Sequence, residues 1–353
     1  MREADTLLEH MYNEAMREAK DRQVSMSPSE RKRHLKQVLW QLIGEFEINV
    51  NHKPVMLERV PCEGYIRERV ELSAVPGVSY AAYVLIPEGN QGKPMPAVVA
   101  VHGHGYGSRE IVGLREDGST DTDQPGIHRH FAVELARRGM VVIAPDVAGF
   151  GERRLAADLA RNPDTANSCH RLSTQLMMYG KTVAGLRVAE TLGAVGHLAE
   201  RSEVQPGRIG IMGFSGGGLI SFLCAALDER IRAAVLAGYP NTFKDSIMEI
   251  RHCVCNYIPG ILNHAELPEW LGLMAPRPLF LESGTHDPIF PAAGFNAAVD
   301  RLREIYRREG SEENLQTDLF PGAHQISGRH SYDWLFEQLN RPDMPPPLPR
   351  IRF

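Results

Sequence analysis

Three residues of this chain combine the types and settings that nucleophilic catalysis needs. Ser215 stands in Gly213-Phe214-Ser215-Gly216-Gly217, a G-x-S-x-G pentapeptide between the apolar run "RIGIMG" and the helix-like "GGGLISFLCAAL". In a strand–turn–helix of this kind, small residues at 213 and 217 let the backbone cross closely while the serine rises on a strained turn. The helix behind it offers free N–H groups and a partial positive charge. A serine hydroxyl is a poor nucleophile until a base takes its proton and an acid orients that base. Asp287 follows the run "PLFLESG", in a turn held by Pro288 and Pro291, and His324 follows "LQTDLFPG", in the loop "AHQISG". Serine, acid and base therefore come in that order, each just beyond a different apolar run.

Other residues compete for these roles. His286 adjoins Asp287, and a sequence neighbour cannot easily face the serine while Asp287 orients it. His330 lies in a later, helix-like segment. Glu282 sits inside a strand run and is the second choice for the acid, whereas Asp146, at the end of "MVVIAPD", reads as structural. A further feature is "AVVAVHGHGYGSRE" (97–110), where an apolar run breaks into glycines 103, 105 and 107 interleaved with His102 and His104. Such a loop could cradle a phosphate, ligate a metal or present backbone N–H groups. A dinucleotide site is disfavoured, because the third glycine comes one residue early for G-x-G-x-x-G and a polar, Asp-rich stretch follows instead of a helix. A metal site would draw on His102, His104 and "HRH" (128–130), but nothing else in the chain calls for one. "CVC" at 253–255 has no second Cys pair beside it, so Cys62, Cys169, Cys224, Cys253 and Cys255 read as reduced structural thiols. The expectation is no cofactor and no metal.

Elements must hold these residues in place. From about residue 96, buried apolar runs (97–103, 140–146, 208–213, 231–239, 278–284, 315–322) alternate with helix-like pieces (130–138, 181–201, 216–227, 293–309). Continuous apolar strands separated by helices imply an α/β fold with a mostly parallel sheet covered on both faces, and ligands at the carboxyl ends of its strands. Before that, residues 1–47 read as two helices, the second opened by a cap at "SPSE", and "GYIRERVELSAVPGVSYAAYVLIPEG" reads as an antiparallel edge hairpin. The division expected is a helical extension over 1–60, a catalytic domain over 61–340 and a Pro-rich arm over 341–353. Long segments near 108–130, 150–175 and 239–272 rim the site, and the last, with Phe243, Tyr257 and Trp270, builds either a lid and substrate pockets or local core.

The 353 residues carry 39 Lys+Arg against 44 Asp+Glu, a net charge of −5 that gives no reason to expect nucleic acid or an acidic membrane as partner. No apolar stretch approaches the length of a membrane span, and the acidic, amphipathic first residues lack the apolar region of a secretory signal. A cytoplasmic location is expected. The N-terminal helices and the Pro-rich arm are compatible with a homodimer.

The segments "HGHG", "APDVAGFGE", "PGRIGIMGFSGGG", "APRPLFLESGTHDPIFP" and "FPGAH", spread over about 80–340, make the chain resemble the α/β-hydrolase superfamily. Within it, the chain is similar to serine esterases of the dienelactone hydrolase-like and acetyl xylan esterase-like group. Dienelactone hydrolases carry a cysteine nucleophile; Ser215 favours ordinary ester hydrolysis. Prolyl-oligopeptidase domains share much of the pattern, but the N-terminal part here is too short for their propeller. The resemblance implies an oxyanion hole built from the backbone N–H of His104, last residue of the H-G-x turn, and that of Gly216 behind the nucleophile. The activity expected is hydrolysis of small carboxylic esters, short acyl groups such as acetyl above all, through an acyl-enzyme on Ser215. The alternatives are a peptidase, amidase or C–C bond hydrolase of the same fold, or a non-catalytic binding protein.

Overall fold

The computed structural model describes residues 3–48, 53–89 and 92–342; the expected arm falls almost wholly outside them. The strands are β1 (Val55–Cys62), β2 (Tyr65–Val75), β3 (Val78–Pro87), β4 (Met95–Val101), β5 (Val141–Pro145), β6 (Val204–Phe214), β7 (Ile231–Ala237), β8 (Leu279–Gly284) and β9 (Leu315–Phe320). They form one sheet in the order β1-β2-β3-β5-β4-β6-β7-β8-β9. The β1-β2-β3-β5 edge is antiparallel and the rest, from β5 to β9, is parallel. This is the α/β-hydrolase fold.

Helices α1 (Glu3–Val24) and α2 (Pro28–Ile43) precede the sheet, followed by α3 (Phe131–Arg137), α4 (Ala156–Arg161), α5 (Cys169–Met177), α6 (Val183–Glu200), α7 (Gly216–Leu227), α8 (Leu267–Leu271), α9 (Ala292–Arg308) and α10 (Ser331–Asn340). The period-two pleat sends alternate residues to opposite faces. On β4, Ala97, Val99 and Val101 join the core under α2, α6, α7 and α9, while Val98 and Ala100 join the one under α3 and α10. A strand buried on both faces has to be apolar throughout, which is why these runs show no alternation.

The helical extension is bound into the fold. Ser27 and Glu30 close a capping box at the start of α2, whose Leu35, Val38, Leu39 and Ile43 are buried. At its far end the Ile43 carbonyl accepts from the Thr182 hydroxyl at 2.9 Å. The expected boundary at residue 60 does not match the structure, because it falls inside β1, a strand that the sequence pattern did not suggest. Residues 55–59 of β1 are exposed although Val55, Met56 and Leu57 are apolar, so its apolar residues do not alternate between a buried and an open face.

Candidate active site

The pairing of β4 with β6 sets Val101 opposite Gly213. Beyond that pair, His102-Gly103-His104 run beside Phe214-Ser215-Gly216, which is how two Gly-rich segments far apart in sequence become neighbours. The approach leaves no room for side chains: a Cβ on Gly217 would lie 2.1 Å from the Val101 carbonyl oxygen, and one on Gly213 would lie 2.1 Å from that of Gly217. Ser215 itself takes φ 55° and ψ −123°, a conformation that costs a non-glycine residue about 1–3 kcal/mol and is held by its surroundings. Its N–H donates to the Ala237 carbonyl at 2.8 Å, and its own carbonyl accepts from Gly218 and Leu219 at the start of α7.

Asp287 and His324 follow β8 and β9, which pair side by side. Two backbone bonds join their loops, from the Thr285 N–H to the Phe320 carbonyl at 2.9 Å and from the His286 N–H to the Gly322 carbonyl at 2.8 Å. The three side chains form a chain of hydrogen bonds. The Ser215 hydroxyl donates to His324 Nε2 at 2.9 Å, and His324 Nδ1–H donates to Asp287 Oδ2 at 2.7 Å. Asp287 Oδ1 accepts from the N–H groups of Ile289 (2.8 Å) and Phe290 (3.0 Å), so the carboxylate cannot swing away from the imidazole. The His324 ring lies against Phe214, 4.8 Å between centroids, and Phe290, 5.8 Å. Ser215 and Asp287 are buried, and the His324 side chain keeps 13% of its surface exposed.

The competitors are occupied elsewhere. Glu282 accepts from the Ser327 and Gly328 N–H groups and the Ser331 hydroxyl, bracing the loop that carries His324, and its burial pushes its carboxyl pKa up. Asp146 accepts from the Ser108 N–H at 2.8 Å. Among the described residues, the His286 side chain meets only the neighbouring Thr285 hydroxyl, at 3.0 Å, and His330 precedes α10.

His102 and His104 of the Gly-rich loop and His128 and His130 of the HRH segment stand in different environments. His102 is buried; its Nδ1–H donates to the Gly103 carbonyl, its Nε2 accepts from the Val147 N–H at 3.0 Å, and burial pushes its pKa down to about 3. It is a neutral core residue with both nitrogens engaged. His128 was set among candidate metal ligands by its sequence; instead its Nε2 accepts from the Gly103 N–H at 3.1 Å and its Nδ1–H donates to Glu110 Oε1 at 2.8 Å. His130 pairs with Asp121 at 3.0 Å. These three do not form a metal site with His104.

His104 instead turns away from that group. Its Nδ1 lies 3.3 Å from where a Cβ of Gly216 would be, and its Nε2 lies 3.5 Å from Cys255 Sγ. Among the described residues, the backbone N–H groups of His104 and Gly216 have no hydrogen-bond acceptor.

Of the loop aromatics, Trp270 is core, whereas Phe243, though buried, lines with Tyr257 a cavity against α1. Trp270 is fully buried, with its Nε1–H on the Ala265 carbonyl, and Phe243 is 4% exposed. Tyr257 is on the surface and bonds the Ile247 carbonyl at 2.9 Å. Sequence reasoning did not single out His252, which packs edge-on to Phe290 at 5.8 Å and, among the described residues, has no hydrogen-bond partner for its buried Nδ1.

The Abhydrolase family model matches residues 6–344. The chain belongs to this family. It is 30% identical over 286 residues to a Bacillus subtilis (strain 168) protein named "Putative hydrolase YtaP", an alignment covering 78% of this chain and 88% of that one. Solved structures of the same fold include one titled a putative acetyl xylan esterase, from Bacteroides fragilis NCTC 9343. Its TM-score is 0.70 at 19% identity, covering 91% of this chain and 86% of that one. A glucuronoyl esterase from Solibacter usitatus has a TM-score of 0.61 at 13% identity, covering 88% and 92%. No helix among the described residues is long and apolar enough to cross a membrane.

Proposed function

We propose that the protein is a serine carboxylesterase acting on small esters with short acyl groups, acetyl foremost. The observation that carries this reading is the unbroken Asp287–His324–Ser215 hydrogen-bond chain ending beside two unclaimed backbone N–H groups. His324 Nε2 takes the proton of Ser215 Oγ as the oxygen attacks the ester carbonyl. The developing oxyanion is received by the N–H groups of His104 and Gly216, a stabilisation worth about 3–4 kcal/mol per donor in such sites. His324 then gives its proton to the leaving alkoxide, and the acyl group stays on Ser215 Oγ. A water deprotonated by His324 attacks the acyl-enzyme, the acid leaves, and the proton returns to Ser215. Asp287 holds the imidazole in the Nδ1–H form and stabilises the imidazolium.

The acyl preference draws on the acetyl xylan esterase fold neighbour, and cytoplasmic residence is favoured by five free cysteines. The test is a panel of p-nitrophenyl esters of increasing acyl length beside acetyl p-nitroanilide. The reading expects kcat/KM to be highest for acetate and the anilide to be slower by at least about 100-fold, some 3 kcal/mol. An anilide turned over as fast as the esters would make the protein an amidase instead, and preference for the longest ester would remove the short-acyl assignment.

A further inference from the structure

We propose that His104, Cys169, Cys253 and Cys255 form a tetrahedral Zn²⁺ site that ties the HGHG loop to the start of α5 and to the loop after β7. The His104 nitrogen and the three sulfurs all lie within 4.8 Å of one another. Cys255 Sγ is 3.3 Å from Cys253 Sγ and 3.5 Å from His104 Nε2. With the usual Zn–S length of about 2.3 Å and Zn–N of about 2.0 Å, a tetrahedron has edges of about 3.5–3.8 Å, so small side-chain shifts close the site. Three thiolates and one imidazole are a complete donor set for a structural zinc, with soft sulfur ligands that Mg²⁺ or Ca²⁺ would not favour.

Charge is the second, independent argument. Arg187, on α6, is 3% exposed, and among the described residues it has no carboxylate partner. Its guanidinium donates to the Ala148 carbonyl and to Cys169 Sγ, the latter at 3.3 Å. A buried cation without a counter-charge is strongly destabilising. Zn²⁺ with three thiolates and a neutral imidazole carries one negative charge, which Arg187 balances. The Asn256 side-chain amide adds an N–H toward Cys255 Sγ at 3.5 Å, so two of the three sulfurs receive outer N–H donors, as metal-bound thiolates commonly do. Binding is balanced as Zn²⁺ replacing three thiol protons, with the imidazole bound through the Nε2 lone pair and its proton kept on Nδ1.

The site explains "CVC", which had no partner pair in the sequence: the other two ligands come from the loop after β4 and from the first residue of α5, and the pair itself from the loop after β7. It also fixes His104, whose Nδ1 side faces Gly216. The metal site stands without the esterase reading; only its consequence for the His104 N–H rests on that reading.

The full chain, produced with zinc in the medium and dialysed against metal-free buffer, is assayed for metal by mass spectrometry. The expected content is about one zinc per chain, falling below about a tenth in Cys255→Ser and holding in Cys224→Ser, a buried cysteine outside the cluster. Cobalt loaded in its place gives thiolate-to-cobalt charge transfer and the intense visible bands of a tetrahedral ion. These wild-type measurements decide the matter even if Cys255→Ser does not fold. Less than about a tenth of a zinc in the wild type with no cobalt spectrum, a disulfide among Cys169, Cys253 and Cys255, or zinc retained by Cys255→Ser would each overturn the proposal. Zinc present in a protein without esterase activity would refute the function and leave the metal site standing.

Discussion

Replacing Asp287 by Asn tests how tightly the structure constrains the imidazole. The carboxylate is held at both oxygens, Oδ1 by the Ile289 and Phe290 N–H groups and Oδ2 by His324 Nδ1–H at 2.7 Å. An Asn must point its carbonyl at the two backbone donors, because turning the amide nitrogen there leaves two buried N–H groups unpaired, at about 1–3 kcal/mol each. Its NH₂ then faces Nδ1, which has to become an acceptor. The ring proton moves to Nε2, and His324 no longer accepts from Ser215. In serine hydrolases this change of tautomer costs about 10⁴ in kcat, some 5.5 kcal/mol of transition-state stabilisation. Initial rates on p-nitrophenyl acetate, with thermal unfolding to confirm the fold, should show that loss in kcat with KM little changed. Glu282→Gln is the control: its single amide oxygen keeps an acceptor for only one of the Ser327 and Gly328 N–H groups, which lowers stability, but His324 and Asp287 keep their own partners, so kcat should stay within about tenfold of wild type, about 1.4 kcal/mol. Asp287→Asn retaining more than about a tenth of kcat would refute the argument, and the reverse ranking of the two variants would move the acid to Glu282.

His128→Phe keeps the ring against Phe214 but removes the acceptor of the Gly103 N–H, loosening the turn that presents the His104 N–H. At about 1–3 kcal/mol for the stranded donor, kcat should fall roughly 10- to 100-fold with KM nearly constant, and a change confined to KM would contradict the bracing role. His197, on α6, is pushed down to about 4 by burial and by Arg201. The unfolded chain, with a histidine near the usual value of about 6.5, binds a proton that the fold refuses, so the contribution is full above about pH 6.5 and lost as pH falls toward 4. The side chain is partly exposed, which reduces the expected loss to about 1–2 kcal/mol. His197→Gln should flatten urea-unfolding stability over that window, and an unchanged slope would count against the assignment.

The sheet and the Ser215, Asp287 and His324 positions were readable because each rests on local pattern. A doubly buried strand is a continuous apolar run, and the residues that matter stand a few positions past its end, marked by glycine or proline. Features set by tertiary pairing were not readable. β1 is largely exposed, and its apolar residues, Val55-Met56-Leu57 in a row, show no two-residue alternation. Phe243 and Trp270 lie in a loop long enough to build its own core, so their type alone could not separate pocket from packing. His128 looked like part of an H-x-H motif, yet its partners are the Gly103 N–H and Glu110, far from it in sequence. The cysteine–histidine cluster draws its ligands from two loops and the start of α5, so no ligand spacing appears along the chain.

The account turns on Ser215 as the nucleophile. Treating the folded protein with a fluorophosphonate and mapping the adduct, beside p-nitrophenyl acetate turnover by Ser215→Ala, measures this most directly. The account predicts about one adduct per chain, on Ser215, and a loss of at least about 10³-fold in the variant's kcat. An adduct on another residue, or a Ser215→Ala protein that keeps most of the wild-type rate, would contradict it.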